Sequence, residues 1–246
     1  MAQSSGKDVR IFAFDVDGPI YSRDIDVDFA LFLAKKGRFR KKAQEAFLQA
    51  MRDYEERNLS YPELCRQSIK AFAQGIERQN AAKIYWDAIE FVRENKGLFH
   101  NKGIQLLKQL SKRKNTKIVL ISASPEIVIS VISRVLGCRA DYIRGAGYQT
   151  RKGKFTGIPL TGDLILFKQK ALNFVEKWFR AKKENIVYYG NQPADLLSAQ
   201  AAGVRFRPMN PSHQLQKLWK RKQQKKAGRK SSPLRGKRRI MRKVRK

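Results

Sequence analysis

The chain has 246 residues, 42% of them hydrophobic, and carries 53 Lys and Arg against 21 Asp and Glu, a formal net charge of +32. This length suffices for one sizeable core and an accessory module, and the charge favours polyanionic partners: nucleic acid, an anionic lipid surface or a phosphorylated metabolite. The two cysteines, Cys65 and Cys138, are too few and too far apart for a zinc site or a disulfide framework. With no apolar leader and no run of membrane-spanning length, we expect a cytoplasmic protein with reduced thiols.

The first element is a short apolar run at residues 9–14, which predicts a buried strand. The next such run begins only at residue 118, a longer interval than one crossover helix requires. Apolar residues recur there at helical spacing, which predicts helices over residues 29–36, 39–56, 61–74 and 81–94. Ser60, with Pro62 and Glu63 after it, is a strong helix start signal. We therefore predict a helical cap over residues 26–99, inserted after the first strand.

The second half of the chain alternates strands with helices. Helices are predicted over residues 102–112, 125–136, 164–179, 194–201 and 213–221, and strands over 118–121, 186–189 and 204–207. Turn residues between 145 and 157 suggest one or two further short strands with hairpin turns. This order predicts right-handed crossovers and an α/β fold with a doubly wound parallel sheet, formed by residues 1–25 and 100–216.

The C-terminal segment is strongly basic. From Lys217 onward 16 of 30 residues are Lys or Arg and none is acidic, which predicts a disordered tail over residues 217–246. The tail is either a solubilising end or an arm that binds nucleic acid or an anionic membrane surface. Further basic clusters at residues 35–42 and 112–114 either steer an anionic substrate or form ordinary solvated faces.

Each of the three main apolar runs ends in small, polar or acidic residues. The first is followed by Asp15 and Asp17, the second by Ser122 and Ser124, and the third by residues 190–195. Parallel strands bring their carboxyl ends together along one crevice, which is where open α/β proteins bind ligands. We therefore expect the three clusters to face one site.

These clusters, with a lysine in the helix after residues 161–163, resemble the four motifs of the haloacid dehalogenase-like superfamily, and within it the phosphoserine-phosphatase-like branch. The resemblance spans residues 9–207 and preserves motif order and spacing. It implies a Rossmann-like core with a helical cap and a Mg²⁺-dependent phosphomonoesterase, acting through an aspartyl phosphate on a small phosphorylated metabolite or a lipid headgroup. The alternative is a non-catalytic nucleic-acid-binding protein built on a weakened phosphatase core, with binding through the basic tail.

The resemblance also implies roles for individual residues. Asp15 would attack phosphorus, and Asp17 would protonate the leaving oxygen and then activate water. Ser122 and the backbone amide of Ala123 would hold phosphate oxygens together with a lysine, for which Lys168 is preferred over Lys170 because of its spacing from the fourth motif.

Two further residues are open to more than one interpretation. Ser124 is expected to cap the following helix rather than to bind a ligand. Asp24 is a candidate substrate-binding residue, or else an acidic residue suited to the start of a cap helix.

The expected Mg²⁺ ligands are the Asp15 carboxylate, the backbone carbonyl of Asp17 and the acidic residues of the fourth motif. At the first of these positions the family has Asp where this chain has Asn191. An amide oxygen can coordinate Mg²⁺, but the loss of one negative charge should lower the affinity. Asp195 would bind the metal directly or through water.

Overall fold

The computed structural model describes residues 9–230, and its centre is a five-stranded, fully parallel sheet. In chain order the strands of this region are β1 (Arg10–Phe14), β2 (Thr116–Pro125), β3 (Tyr142–Ala146), β4 (Tyr148–Arg151), β5 (Lys154–Pro159), β6 (Ile186–Gly190) and β7 (Arg205–Pro208). The main sheet has the order β3-β2-β1-β6-β7, whereas β4 and β5 pair separately as an antiparallel hairpin. The doubly wound parallel sheet is therefore confirmed, with β1 at its centre.

Helices connect these strands and form the inserted segment. In chain order they are α1 (Ile25–Lys35), α2 (Lys41–Glu55), α3 (Tyr61–Gly75), α4 (Ala81–Glu94), α5 (Asn101–Ser111), α6 (Glu126–Val135), α7 (Leu164–Trp178), α8 (Pro193–Ala202) and α9 (His213–Lys230). The first four lie between β1 and β2, as predicted. The capping box at Ser60 and Glu63 is present at the start of α3.

Both faces of the sheet are buried. Successive residues of each strand point to opposite faces, so each inner strand contributes side chains to both. On β2, Ile118 and Leu120 pack with α6 and with the inserted helices, whereas Val119 and Ile121 pack with α7 and α8. The inserted helices also contain a group of contacting aromatic rings, including Phe29, Phe72 and Phe91. One continuous hydrophobic cluster therefore joins the insertion to one face of the sheet.

The segment after α6 contains one more strand of the main sheet than the sequence predicted. Its β3 pairs with β2 at the sheet edge, and the predicted hairpin follows as β4 and β5. The sequence of β3 mixes Tyr142, Ile143 and Arg144 with two small residues, so it lacks the continuous apolar run of the inner strands. A strand at the edge of the sheet requires less burial, which explains why the apolar pattern of β3 was weak in the sequence.

The last helix extends further than predicted. It continues to Lys230, beyond residue 217, where the predicted tail begins. Leu215 is buried, and Trp219 contacts the Phe206 ring of β7 at 5.7 Å, which anchors the first turns of the helix. The rest of the predicted tail, residues 231–246, lies outside the described residues. Among the helices of residues 9–230, none is both long and apolar enough to cross a bilayer.

Candidate active site

Asp15 directly follows the central strand and is buried at the carboxyl edge of the sheet. Its backbone N–H donates to the carbonyl of Tyr189 on β6 at 2.8 Å, which continues the sheet pairing by one residue. Its carboxylate oxygen Oδ1 accepts the N–H of Val16 at 3.0 Å and lies 3.1 Å from Nζ of Lys168. Burial and the nearby Asp195 carboxylate raise the pKa of Asp15 well above its usual range, although Lys168 opposes the shift.

Lys168 is the buried cation of the site. Its Nζ donates to Oδ1 of Asp195 at 2.6 Å in addition to its contact with Asp15. Burial alone would lower the pKa of Lys168, but the two carboxylates raise it well above the ordinary lysine value. Lys170, the alternative on the same helix, is exposed. The structure therefore brings Lys168, and not Lys170, to Asp15.

Asp195 lies in the first turn of helix α8 and has both carboxylate oxygens occupied by protein donors. Oδ1 accepts from Lys168 and from the hydroxyl of Tyr188 at 3.1 Å, and Oδ2 accepts the backbone N–H groups of Asn191 and Gln192 at 3.0 and 2.9 Å. It thereby fixes both the lysine and the loop after β6. Tyr188, which the sequence analysis did not single out, belongs to this group because its ring is buried among apolar side chains and its hydroxyl needs a partner.

Asp17 contacts the end of β2 through its side chain. Its Oδ2 accepts the hydroxyls of both Ser122 and Ser124 at 2.7 Å, and its Oδ1 accepts the backbone N–H of Ile25 at the start of α1. Ala123 lies between the two serines and is partly buried. The site thus connects the first strand, the second strand and the first inserted helix.

The prediction that Ser124 caps α6 is wrong. Strand β2 continues to Pro125, the helix begins at Glu126, and no side chain caps it. The Ser124 hydroxyl is therefore directed to Asp17, and the sequence signal for a cap was misleading because the strand extends past the apolar run.

Asn191 lies against the turn that follows Asp17. A Cβ atom at Gly18 would stand 1.9 Å from Nδ2 of Asn191, so only glycine allows this approach. Gly18 also has a φ of +89°, a conformation that other residues rarely adopt. The Asn191 Oδ1 atom is buried and has no hydrogen-bond partner within the described residues. An unpartnered buried oxygen is costly, which marks this atom as a ligand position.

We expect Gly18→Ala to destabilise the fold by about 2 kcal/mol or more, because it adds both backbone strain and a collision with Asn191. Gly37→Ala is the matched control, since Gly37 has a φ of +66° and no atom within 4 Å of the added Cβ. Urea unfolding of both variants measures the difference. Equal losses in the two variants would show that contact with Asn191 contributes nothing.

Two acidic residues at the start of α1 lie near Asp17. Asp24 is exposed as a residue, yet desolvation of its carboxyl group, with the charges of Asp17 and Asp28, raises its pKa to about 6. Asp24 directly precedes α1 and Asp26 and Asp28 lie in its first turn, as the alternative of an acidic residue at the start of a cap helix requires, although Asp24 makes no capping hydrogen bond. Burial beside Asp24 and Asp17 also raises the pKa of Asp26 well above its usual range. Asp26 was not among the predicted site residues.

Asp24→Asn is expected to stabilise the protein above pH 6. Because the folded-state pKa of about 6 exceeds the unfolded value of about 4, wild-type stability falls as the pH rises between these values. The advantage of the variant should be present at pH 7.5 and smaller at pH 5, as measured by thermal unfolding. Asp53→Asn, at a partly exposed carboxylate of α2 that accepts from Gln49, is the control. An advantage that does not change with pH would contradict the assigned shift.

The inserted helices cover the site with residues that the sequence analysis missed. Tyr61 and Cys65, one turn apart on α3, pack with Ala123 after β2 and Ala194 after β6. Burial raises the pKa of the Tyr61 hydroxyl well above its usual range. The available signal was a stripe of Tyr61, Cys65 and Ser68 at helical spacing, which is smaller and more polar than an ordinary core face.

The fold and this arrangement of Asp15, Asp17, Ser122 and Lys168 define an α/β protein with a carboxylate-centred site at the carboxyl ends of parallel strands. The sequence profile of haloacid dehalogenase-like hydrolases matches residues 12–200. The chain therefore belongs to the haloacid dehalogenase-like hydrolase family. No similar sequence was found among curated proteins.

Solved structures share the fold at low sequence identity. A protein of unknown function from Bordetella pertussis Tohama I is 19% identical over 88% of this chain and 97% of its own, with a TM-score of 0.67. A substrate-bound phosphoserine phosphatase is 16% identical over 85% of this chain and 90% of its own, with a TM-score of 0.58. Cytosolic 5′-nucleotidase IIIB bound to cytidine is 12% identical over 81% of this chain and 72% of its own, with a TM-score of 0.60. These similarities, all below 20% identity, show that the fold is shared.

Proposed function

We propose that this protein is a Mg²⁺-dependent phosphomonoesterase that forms a covalent aspartyl phosphate, an acyl phosphate, on Asp15. The observation that carries the proposal is the buried series of ion pairs from Asp15 through Lys168 to Asp195. Within the described residues, the Asp15 carboxylate accepts a hydrogen bond from Val16 and forms an ion pair with Lys168, and both contacts involve Oδ1. Oδ2 is therefore the oxygen with which Asp15 would attack a substrate.

In the first step Oδ2 of Asp15 forms a bond to phosphorus while the bond from phosphorus to the leaving oxygen breaks. Asp17 gives its proton to that oxygen, so that a neutral alcohol departs. In the second step Asp17 takes a proton from water, the resulting hydroxide attacks phosphorus, and the Asp15 carboxylate is released with inorganic phosphate. Lys168, the Ser122 hydroxyl and the amide of Ala123 would hold the other phosphate oxygens.

Ser122 is not free to do so in the described state, because its hydroxyl donates to Asp17 and accepts the backbone N–H of Ser124. When a phosphate group binds, the Ser122 hydroxyl must therefore give up its hydrogen bond to Asp17 and donate to a phosphate oxygen instead. Ser124 can retain its own bond to Asp17 during this exchange. This second hydroxyl would keep the Asp17 carboxyl oriented.

The residues present fit a magnesium ion, although with less charge than the family pattern. We assign the ligands as the Asp15 carboxylate, the backbone carbonyl of Asp17 and the unpartnered Oδ1 of Asn191. Asp195 is a poor direct ligand, because its oxygens already accept four hydrogen bonds. No three His, Cys, Asp or Glu side chains of residues 9–230 are grouped as a metal site, so this set depends on amide and carbonyl oxygens. When bound, Mg²⁺ would neutralise the charge of the transferred phosphate.

We propose a small phosphorylated metabolite as the substrate, with a phosphorylated lipid headgroup as the alternative. Asp24 and Asp26 beside Asp17 favour a substrate that also carries a cationic group. A cavity of about 540 Å³ lies between the inserted helices and α9, lined in part by Arg57, Tyr61 and Gln214. Since Tyr61 also covers the Asp15 site, we propose that helices α1–α4 act as a cap and that this cavity admits the substrate.

We further propose a cytoplasmic location. The observation that supports it is that Cys65 and Cys138, both buried, form no disulfide. Such thiols persist where the surroundings are reducing.

The proposal is tested by Mg²⁺-dependent release of phosphate from a panel of phosphomonoesters. We expect turnover by the wild type, and we expect Asn191→Asp to lower the Mg²⁺ concentration for half-maximal activity about tenfold or more, since a carboxylate replaces an amide ligand. Asn210→Asp is the matched control, because Asn210 is exposed and donates to the carbonyl of Gly18, so its replacement would add charge nearby at the cost of one exposed hydrogen bond and without adding a ligand. Turnover that appears only in Asn191→Asp would mean that the wild type has lost the activity.

A further inference from the structure

A second candidate site lies at the opposite edge of the sheet from Asp15. The basic cluster at residues 112–114 occupies the turn before β2, at the amino end of that strand, so it does not line the catalytic crevice. Lys117 is the second residue of β2. It lies five positions before Ser122, which corresponds to about 17 Å along a strand. The cluster therefore needs a partner other than the substrate of the Asp15 site.

Three aromatic rings, two of them exposed, form a column that reaches the same edge of the sheet. Tyr142 of β3 contacts Phe174 of α7 at 5.2 Å, and Phe174 stacks on Trp178 at 5.6 Å with an interplanar angle of 18°. Phe174 is 42% exposed and Trp178 is 67% exposed. Rings of this size are usually buried, so an exposed stack indicates a binding surface.

Lys117 joins the basic cluster to the aromatic column. Its Nζ lies 5.4 Å from the ring centre of Phe179, the neighbour of Trp178, and 3.3 Å from Oδ1 of Asp141, the neighbour of Tyr142. Arg139 also pairs with Asp141, so that the nearest carboxylate is neutralised.

Further cations border the rings. Lys170 and Lys177 are exposed on α7 and form no ion pair within the described residues, and Arg180 follows in the next turn. One surface thus combines the aromatic rings Tyr142, Phe174 and Trp178 with the cations Lys117, Lys170, Lys177 and Arg180, and the basic turn at residues 112–114 adjoins Lys117 in the chain. We call it the amino-edge surface.

We propose that the amino-edge surface binds single-stranded nucleic acid. A single strand offers one phosphate charge and one aromatic face per nucleotide, which matches cations that alternate with rings along α7. A base can extend the existing stack on the outer face of Trp178, whereas the bases of a duplex are already stacked on each other. The formal net charge of +32 would draw the strand to the protein.

The first test is fluorescence anisotropy of the full-length protein with labelled single-stranded RNA and single-stranded DNA of equal length. We expect both to bind more tightly than a duplex, and we expect Trp178→Ala to weaken binding at least about fivefold through loss of one stacked base. Trp86→Ala is the matched control, because Trp86 is 65% exposed on α4, outside the surface. Unchanged affinity in Trp178→Ala would assign binding to other basic segments, such as residues 231–246, and would overturn the proposal.

The second test separates a nucleic acid from a membrane as the partner. In a Trp86→Phe and Trp219→Phe background, Trp178 is the remaining tryptophan, and stacking of a base should quench its fluorescence. Vesicles containing phosphatidylglycerol should leave this signal unchanged. A blue shift with vesicles and no quenching with oligonucleotides would show that the rings enter a bilayer instead, which contradicts the proposal.

Discussion

Asp15→Asn is expected to lower phosphate release by on the order of 10⁴-fold or more, because the amide cannot form the covalent acyl phosphate. The fold should not lose stability. Lys168 keeps its second partner, Asp195, and the asparagine has the same shape as the aspartate, so no buried charge is left without a partner. Activity assays and urea unfolding of the same preparation measure both effects.

The control for this variant is Asp53→Asn, whose site lies on α2 away from the carboxyl edge of the sheet. It should leave turnover unchanged. If Asp15→Asn instead unfolded the protein, the Asp15 carboxylate would be required for folding. The loss of activity would then not identify it as a nucleophile.

Lys168→Met is expected to reduce both activity and stability. Without the ammonium group, Asp15 and Asp195 remain as neighbouring buried carboxylates, and the removal of one partner from a buried ion pair costs about 3–5 kcal/mol. Turnover should fall by about 10²–10³-fold in whatever protein stays folded, since a cation aimed at the transferred group is lost.

Lys170→Met provides the comparison on the same helix. Lys170 is exposed, so its replacement should change the free energy of unfolding by less than about 0.5 kcal/mol and leave turnover intact. Equal effects of the two substitutions would contradict the assignment of Lys168. This pair also decides experimentally between the two lysines that the sequence left open.

Much of the site could be predicted because its residues follow strands at fixed places. Asp15 and Ser122 come directly after apolar runs, and parallel strands oblige their carboxyl ends to meet. Lys168 was recognisable from its spacing within an apolar helix face. Neither inference required knowledge of contacts between distant segments.

The remaining features depend on tertiary packing. The bond from Ser124 to Asp17 arises because β2 runs past its apolar residues, and the edge strand β3 has too mixed a composition to stand out. The cover that Tyr61 and Cys65 provide depends on how the insertion packs over the sheet. The amino-edge surface unites three segments that only the fold brings together.

The most direct measurement of the central claim is chemical trapping of the intermediate on Asp15. The protein would be mixed with Mg²⁺ and an accepted phosphomonoester, quenched, and reduced with borohydride, which converts an acyl phosphate of aspartate to homoserine. Peptide mass spectrometry should then find the reduced residue at position 15 in the wild type and not in Asp15→Asn. Phosphate release by the wild type without any trapped product at Asp15, or with product at another carboxylate, would contradict the account.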